Sequence, residues 1–215
     1  MVKITLITFT RNSERDLKEL LKNVHDVVDE IIVIDSYSTD ATIEIAKSYN
    51  ARVFLAEPLG YVEPYRAYAL RKASYEWVLY LDVDEKLNKR LRDDLKDIIE
   101  TFDEYDAFRI LRLNINNRGK ALMTFYPHRE IRLFKKSKVS FKGIIMEQPR
   151  VYGSIMELPE DYFIIHLLKQ QAWLASSRKL VKYALLNTRQ HYRLQYSKKP
   201  LDHDSTLFLL LNSTG

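Results

Sequence analysis

WVLYLDVDE, residues 77–85, runs five apolar residues into two aspartates that stand one residue apart. Trp77 to Leu81 has the unbroken apolar character of a strand covered on both faces, as a parallel sheet demands. In extended backbone, residues i and i+2 point the same way, so Asp82 and Asp84 present two carboxylates to one side. Such a pair suits a hard divalent cation, Mg²⁺ or Mn²⁺, that keeps its other positions for water and phosphate oxygens. The competing reading is a helix cap, with Asp84 or Glu85 accepting from the first turn of the charged segment that follows.

Toward the N-terminus the same strand-then-polar pattern recurs. Ile4 to Phe9, Glu30 to Ile34 and Ala51 to Leu55 read as strands. Between them Ser13 to Val28, Asp40 to Ser48 and Glu63 to Ala73 read as helices, with Asp40 as an N-cap. Strand–helix alternation predicts an α/β domain with helices on both faces of a parallel sheet. Ligands of such sheets bind outside the carboxyl ends of the strands. The three polar tips there are Thr10-Arg11-Asn12-Ser13-Glu14, Asp35-Ser36-Tyr37-Ser38-Thr39-Asp40 and Asp82-Val83-Asp84-Glu85. Acidic tips meeting in one crevice repel unless a cation or hydrogen-bond donors lie between them.

Beyond the aspartates, Asn88 to Phe102 reads as one charged helix. Asp106 to Asn114, Glu130 to Phe134 and Val139 to Phe141 read as shorter strands, and Leu167 to about Tyr192 as a long helix. The expected division is a domain over 1–166 and a basic helical extension over 167–215.

Composition narrows the chemistry. The 215 residues contain no cysteine, which excludes disulfides, thiolate metal sites and a Cys nucleophile. There is no GxGxxG, no Walker lysine motif and no GxSxG, so dinucleotide oxidoreductases, P-loop NTPases and α/β-hydrolases drop out. No apolar run approaches the length of a spanning helix, and MVKITLITFTRNSERD lacks the pattern of a signal peptide. A cytoplasmic protein is the expectation. The net charge of +5 is unevenly spread: residues 1–101 carry −4, residues 102–161 carry +3 and residues 162–215 carry +6.

In combination, ITFTRNSE, VDEIIVIDSYSTDATIEIAKSYNARVF and LGYVEPYRAYALRKASYEWVLYLDVDE resemble family 2 glycosyltransferases of GT-A fold. The nearest likeness is to small members similar to lipopolysaccharide-core β-glucosyltransferases. Asp35 to Thr42 fits their D-S-x-S-T-D-x-T and Leu81 to Glu85 their L-D-A-D-E. The resemblance covers residues 3–150 well and 151–192 loosely. It implies an inverting, metal-dependent hexosyltransferase that moves a sugar from a nucleoside-diphosphate donor, UDP-glucose by preference, to a hydroxyl of a glycan or lipid-linked acceptor.

Residue by residue, the resemblance puts Thr10, Arg11 and Glu14 at the nucleotide base and ribose, and Asp35 on the base. It puts Arg66 near the diphosphate, Asp82 on the ribose or metal and Asp84 on the metal. Arg132-Leu133-Phe134 matches the family's R-L-F strand, and Gly143 to Glu147 its G-x-x-H-E segment, with Met146 in place of the usual His. Ala67 stands where an Asn is common. Glu147, set among Phe141, Ile144, Ile145 and Met146, is the expected catalytic base, which partial burial would adapt to that task. The bland alternative is a surface Glu paired with Arg150 or Lys142. His166, after Tyr162-Phe163-Ile164-Ile165, is either structural or a metal or diphosphate contact. His128 and His203 are weaker candidates.

Lys169, Arg178, Lys179, Lys182, Arg189, Arg193, Lys198 and Lys199 make the C-terminal segment basic. Either this is a solvated face or it meets an anionic membrane surface, each such residue adding on the order of 1 kcal/mol. Leu207-Phe208-Leu209-Leu210-Leu211 is an added interfacial anchor, a core segment or the mark of a shortened C-terminus. Two rival functions remain at this level. A metal-dependent sugar nucleotidyltransferase would need a glycine-rich loop after the first strand, where Thr10 to Glu14 has no glycine. A nucleic-acid binder would need a binding motif beside Trp173, Tyr183, Tyr192 and Tyr196, and none accompanies them; no nucleic-acid partner is expected.

Overall fold

The computed structural model describes residues 1–116, 118–122, 126–142 and 147–168. The chain opens with β1 (Ile4–Thr10), α1 (Glu14–Val24), β2 (Glu30–Asp35), α2 (Thr42–Ser48), β3 (Arg52–Leu55), α3 (Glu63–Lys72) and β4 (Trp77–Tyr80). These strands pair in parallel in the order β3-β2-β1-β4. The parallel α/β half expected from the sequence is therefore present.

The alternation within each strand explains why both faces are covered. Ile4, Leu6, Val33, Leu79 and Leu81 face one way, where Leu17, Leu20, Leu21 and Val24 of α1 pack on them. Ile7, Phe9, Ile32, Ile34, Val78 and Tyr80 face the other way, toward Tyr65 and Ala69 of α3. The four apolar residues of α1 are wholly buried, each worth about 1.5–3 kcal/mol of transfer free energy.

The second half is mixed rather than parallel. After β5 (Glu85–Leu87) come α4 (Lys89–Asp93), α5 (Leu95–Thr101), β6 (Ala107–Asn116) and β7 (Arg129–Lys135). Then follow β8 (Val139–Ser140), β9 (Arg150–Val151), β10 (Ile155–Glu157) and β11 (Phe163–Leu168). Antiparallel β7 adds to β4, and the sheet continues through β6 and β11 to β5, with β10 also on β6. β8 and β9 form a separate ribbon.

Three expectations are corrected. The helix read over Asn88 to Phe102 is two helices that break at Asp94, whose carboxylate accepts from the Tyr162 hydroxyl at 2.9 Å. Asp is a poor former of helix interiors, and here its carboxylate caps neither helix but is spent on Tyr162. Asp40 is not the N-cap of α2; Ala41 is, and Asp40 instead takes the Thr42 N–H at 3.1 Å from one residue further out. Leu167 and Leu168 do not begin a helix but finish β11, an apolar run that periodicity alone cannot tell from a buried helix. The remainder of that helix, the basic residues from Lys169 onward, His203 and Leu207 to Leu211 lie outside the described residues, as do Gly143 to Met146.

Candidate active site

Strand order reverses between β1 and β4, and the crevice of an open α/β sheet lies outside the carboxyl ends at such a point. The tips of β1 and β2 are laced together there. Thr10 Oγ1 donates to Asp35 Oδ2 at 2.7 Å. The Ser38 N–H donates to Asp35 Oδ1 at 2.7 Å and its hydroxyl to Oδ2 at 2.6 Å. Asn12 receives the Thr39 N–H at 2.8 Å on its side-chain oxygen, and its own N–H donates to Ser38 Oγ at 2.8 Å. Glu14 accepts the Ala41 N–H and gives its own N–H to Asp40, both at 3.2 Å. Thr10 and Asp35 are thus buried and spend their side chains on each other, while Arg11 stays exposed at the rim.

The β4 tip is held from the other side of the crevice. Arg132 of β7, itself buried, places Nη2 2.7 Å from Asp82 Oδ2, 2.8 Å from Glu85 Oε1 and 3.2 Å from Glu130 Oε2. Arg112 of β6 adds Nε 2.7 Å from Glu85 Oε1, out of line for a hydrogen bond, and Nη1 3.4 Å from Glu130. Glu85 has no solvent exposure, and its other oxygen accepts the Asp82 N–H at 2.9 Å. Both the backbone and the carboxylate of Asp82 are therefore clamped. Desolvation by its surroundings pushes the Asp82 carboxyl up, but Arg132, Arg112 and Arg66 outweigh it and hold the group below its ordinary value. Glu130 goes the same way for the same reason, with Arg132 and Arg112 overcoming burial. For Glu85 burial wins and its carboxyl is raised, against the pull of Arg132.

Asp84 points elsewhere. Its Oδ2 lies 3.5 Å from His166 Nε2, and the other ring nitrogen of that histidine lies 2.7 Å from the Asn114 side-chain oxygen. The Leu167 N–H donates to the Asp84 carbonyl at 3.1 Å, so β11 fixes the turn that carries both aspartates. His128 stands nearby, Nε2 3.4 Å from Glu130, its pKa lowered by burial and by Arg112, Arg132 and His166 against the opposing pull of Glu130. Among the described residues, no group of three His, Asp or Glu converges as a metal cage.

Arg66 of α3 joins the aspartate strand to the segment with Glu147. Its Nε donates to the Tyr80 hydroxyl at 3.0 Å, its Nη1 donates to the Glu147 carbonyl, and its Nη2 lies 3.7 Å from Glu63. The Glu147 side chain is nearly buried, and both oxygens stand 2.7 Å from the Lys142 N–H. Arg150 is 4.0 Å away.

A model of the family described as "Glycosyl transferase family 2" matches residues 5–145. The chain belongs to glycosyl transferase family 2. Its relatives in that family include an uncharacterized glycosyltransferase of Rickettsia typhi, 34% identical over 148 residues, covering 67% of this chain and 50% of the relative. The lipopolysaccharide core biosynthesis glycosyltransferase LpsC of Rhizobium meliloti is 31% identical over 117 residues, 51% of this chain and 42% of that one. The chain spans about half the length of the first of these relatives. Among solved structures, Staphylococcus aureus TarS 1–349 in complex with UDP-GlcNAc superposes with a TM-score of 0.58 at 20% identity. That match covers 79% of this chain and 59% of TarS 1–349. The family 2 fold is thus the GT-A α/β fold expected from the sequence.

Within this family 2 chain, the structure gathers Thr10, Glu14 and Asp35 at one lip of the crevice and Asp82 and Asp84 at the tip of β4. It also brings Arg66 beside Glu147. The sequence placed Asn12, Ser38 and Glu85 among the polar tips without a side-chain partner for any of them and gave Arg112 and Glu130 no role; the first two lace the lips, and Glu85, Arg112 and Glu130 form a buried set. A charged residue inside an apolar strand, as in Phe108-Arg109-Ile110-Leu111-Arg112-Leu113 and Glu130-Ile131-Arg132-Leu133-Phe134, was the available signal.

Proposed function

We propose that this chain transfers a hexose from a nucleoside-diphosphate sugar, with UDP-glucose as the first candidate, to a hydroxyl of a glycan or lipid-linked acceptor with inversion at the anomeric carbon. One observation carries the reading. In a family 2 chain, the tips of β1 and β2 and the Asp82–Asp84 turn meet at the point where strand order reverses. The TarS structures with UDP-GlcNAc and with UDP support that donor class.

The donor atoms present suit Mg²⁺ or Mn²⁺. Asp84 would offer a carboxylate and His166 a ring nitrogen beside it, while Asp82 is turned to Arg132 and, among the described residues, forms no three-residue set with them. So sparse a set fits a cation that keeps several waters and phosphate oxygens. Such an ion, when bound, supplies positive charge to the departing diphosphate. Arg66 adds a second cationic group toward the same phosphates. Thr10, Arg11, Glu14 and Asp35 shape the lip that receives base and ribose. Glu147 takes the proton from the acceptor hydroxyl, a form of assistance typically worth about 10²–10⁴-fold. Holding donor and acceptor in line contributes several kcal/mol more.

A thermal-shift screen of nucleoside diphosphates and nucleotide sugars, with and without Mn²⁺, tests donor and metal together. A ligand at 100 times its Kd stabilises the folded chain by about 2.7 kcal/mol. For a chain of this size that raises Tm by about 5–10 °C. A flat response to every nucleotide with Mn²⁺ present would overturn the reading. The basic segment 162–215 is proposed to meet an anionic cytoplasmic membrane surface on which the acceptor resides. Salt-sensitive cosedimentation with phosphatidylserine vesicles is the expected result, and equal recovery with neutral vesicles would dismiss it.

A further inference from the structure

Among the described residues, three other than glycine adopt positive φ: Asn12 at 47°, Tyr37 at 52° and Asn50 at 57°. Asparagine visits this left-handed region readily, because its short side chain bonds locally and crowds the backbone little. A tyrosine there is an outlier, and outliers that persist cluster where a ligand is held. Tyr37 gains nothing obvious from the fold in return. Its side chain is half exposed, and its hydroxyl makes no hydrogen bond among the described residues.

Its neighbours hold it firmly in that pose. On one side Asp35 receives two bonds from Ser38, and on the other Asn12 binds Ser38 and Thr39. The loop is therefore over-determined, and the ring is displayed on a rigid frame at the lip of the crevice. Burial first, with the charge of Glu57 behind it, pushes the hydroxyl of Tyr65 on α3 up to about 12. Tyr65 is itself anchored, its hydroxyl donating to the Glu57 carbonyl at 3.0 Å.

We propose that Tyr37 is the stacking platform for the nucleobase of the donor, set at the mouth of the crevice by the Asp35–Ser38–Asn12 lacing. The inference rests on the nucleoside-diphosphate reading above and assigns a base-contacting residue within it. Stacking on an aromatic face suits any base, so Tyr37 contributes affinity, and the choice of base falls to hydrogen-bonding groups elsewhere.

The test compares the full chain with Tyr37→Phe and Tyr37→Asn, by calorimetric titration with UDP, GDP and inorganic pyrophosphate in Mn²⁺. Tyr37→Asn is expected to weaken the tighter-binding nucleotide by about ten-fold or more, the usual worth of a stacked base. Pyrophosphate, which has no base, is expected to bind all three proteins equally. Tyr37→Phe, which keeps the ring, is expected to bind like the parent. Because asparagine tolerates the left-handed conformation, the Tm of Tyr37→Asn is expected to equal or exceed that of the parent. Unchanged nucleotide binding by Tyr37→Asn would overturn the inference, as would an equal loss of pyrophosphate binding. Parent protein that binds neither UDP nor GDP would overturn the donor reading as well, so the two failures are distinguishable.

Discussion

Asp84→Ala is expected to abolish Mn²⁺-stimulated release of nucleoside diphosphate while leaving the protein folded. The side chain is about one-third exposed, and its only close partner among the described residues is His166 at 3.5 Å. His166 is mostly buried, but the pair is too long for a hydrogen bond and its carboxylate reaches solvent, so it contributes on the order of 1 kcal/mol and the urea midpoint should move little. The structural duty of the residue belongs to its backbone carbonyl, which receives the Leu167 N–H and survives the substitution. Charge stabilisation of the leaving group is where the loss should fall. Removing even one donor from a preorganised site costs about 10²–10³ in rate, and a residue proposed to hold the metal should cost at least that. A second readout avoids reliance on turnover: the Mn²⁺-dependent part of the thermal shift given by UDP should vanish. Turnover near the parent value, with the same Mn²⁺ dependence, would refute the assignment.

Arg132→Met should produce the opposite signature, a large loss of stability. Arg132 is buried against Asp82, Glu85 and Glu130, and Glu85 has no access to water. Breaking a buried ionic set from one side costs about 3–5 kcal/mol, because the surviving charge is left uncompensated. For a chain of this size that lowers Tm on the order of 10 °C. Arg90→Met serves as the control, since Arg90 pairs with Asp161 on the surface and should cost under about 1 kcal/mol.

The pH dependence of that loss carries a definite sign. Asp82 and Glu130 have folded values below their ordinary 3.8 and 4.5. Their contribution to stability is complete above those values and is lost as pH falls through the lower folded ones. In Arg132→Met the contribution is already gone, and Glu85 can take up a proton more easily still. The gap between parent and variant should therefore be widest near neutrality and close on acidification. Urea titrations from pH 7 down to the acid limit check this; a gap that stays constant would mean the loss is one of packing rather than charge.

Much of this was legible in the chain itself, for reasons that can be named. β1, β2 and β4 are apolar on both faces, so their runs stand out, and each ends abruptly in the polar tip that serves the crevice. Boundaries blurred where short-range preferences were weak. β5 begins with Glu85, a residue whose place in a strand makes sense only once Arg132 and Arg112 surround it. β9 and β10 are two and three residues long, too short for any period to emerge. At the site, residue types predicted location but not partnership. Thr10 and Asp35 share a lip as expected, yet their mutual hydrogen bond depends on the Thr10–Asp35 register of β1 with β2, which no single segment encodes.

The bond from Leu167 to the Asp84 carbonyl has a temporal side. During synthesis the chain emerges from its N-terminus at about 5–20 residues per second. By residue 80 all four parallel strands exist, and the contacts that bind them are local enough to form early. The turn bearing Asp82 and Asp84 must wait for β7 to deliver Arg132, and then for β11, whose Leu167 stands 83 positions after Asp84, to pair with β5. A nascent chain would thus hold its parallel half formed well before the aspartate turn was fixed in place.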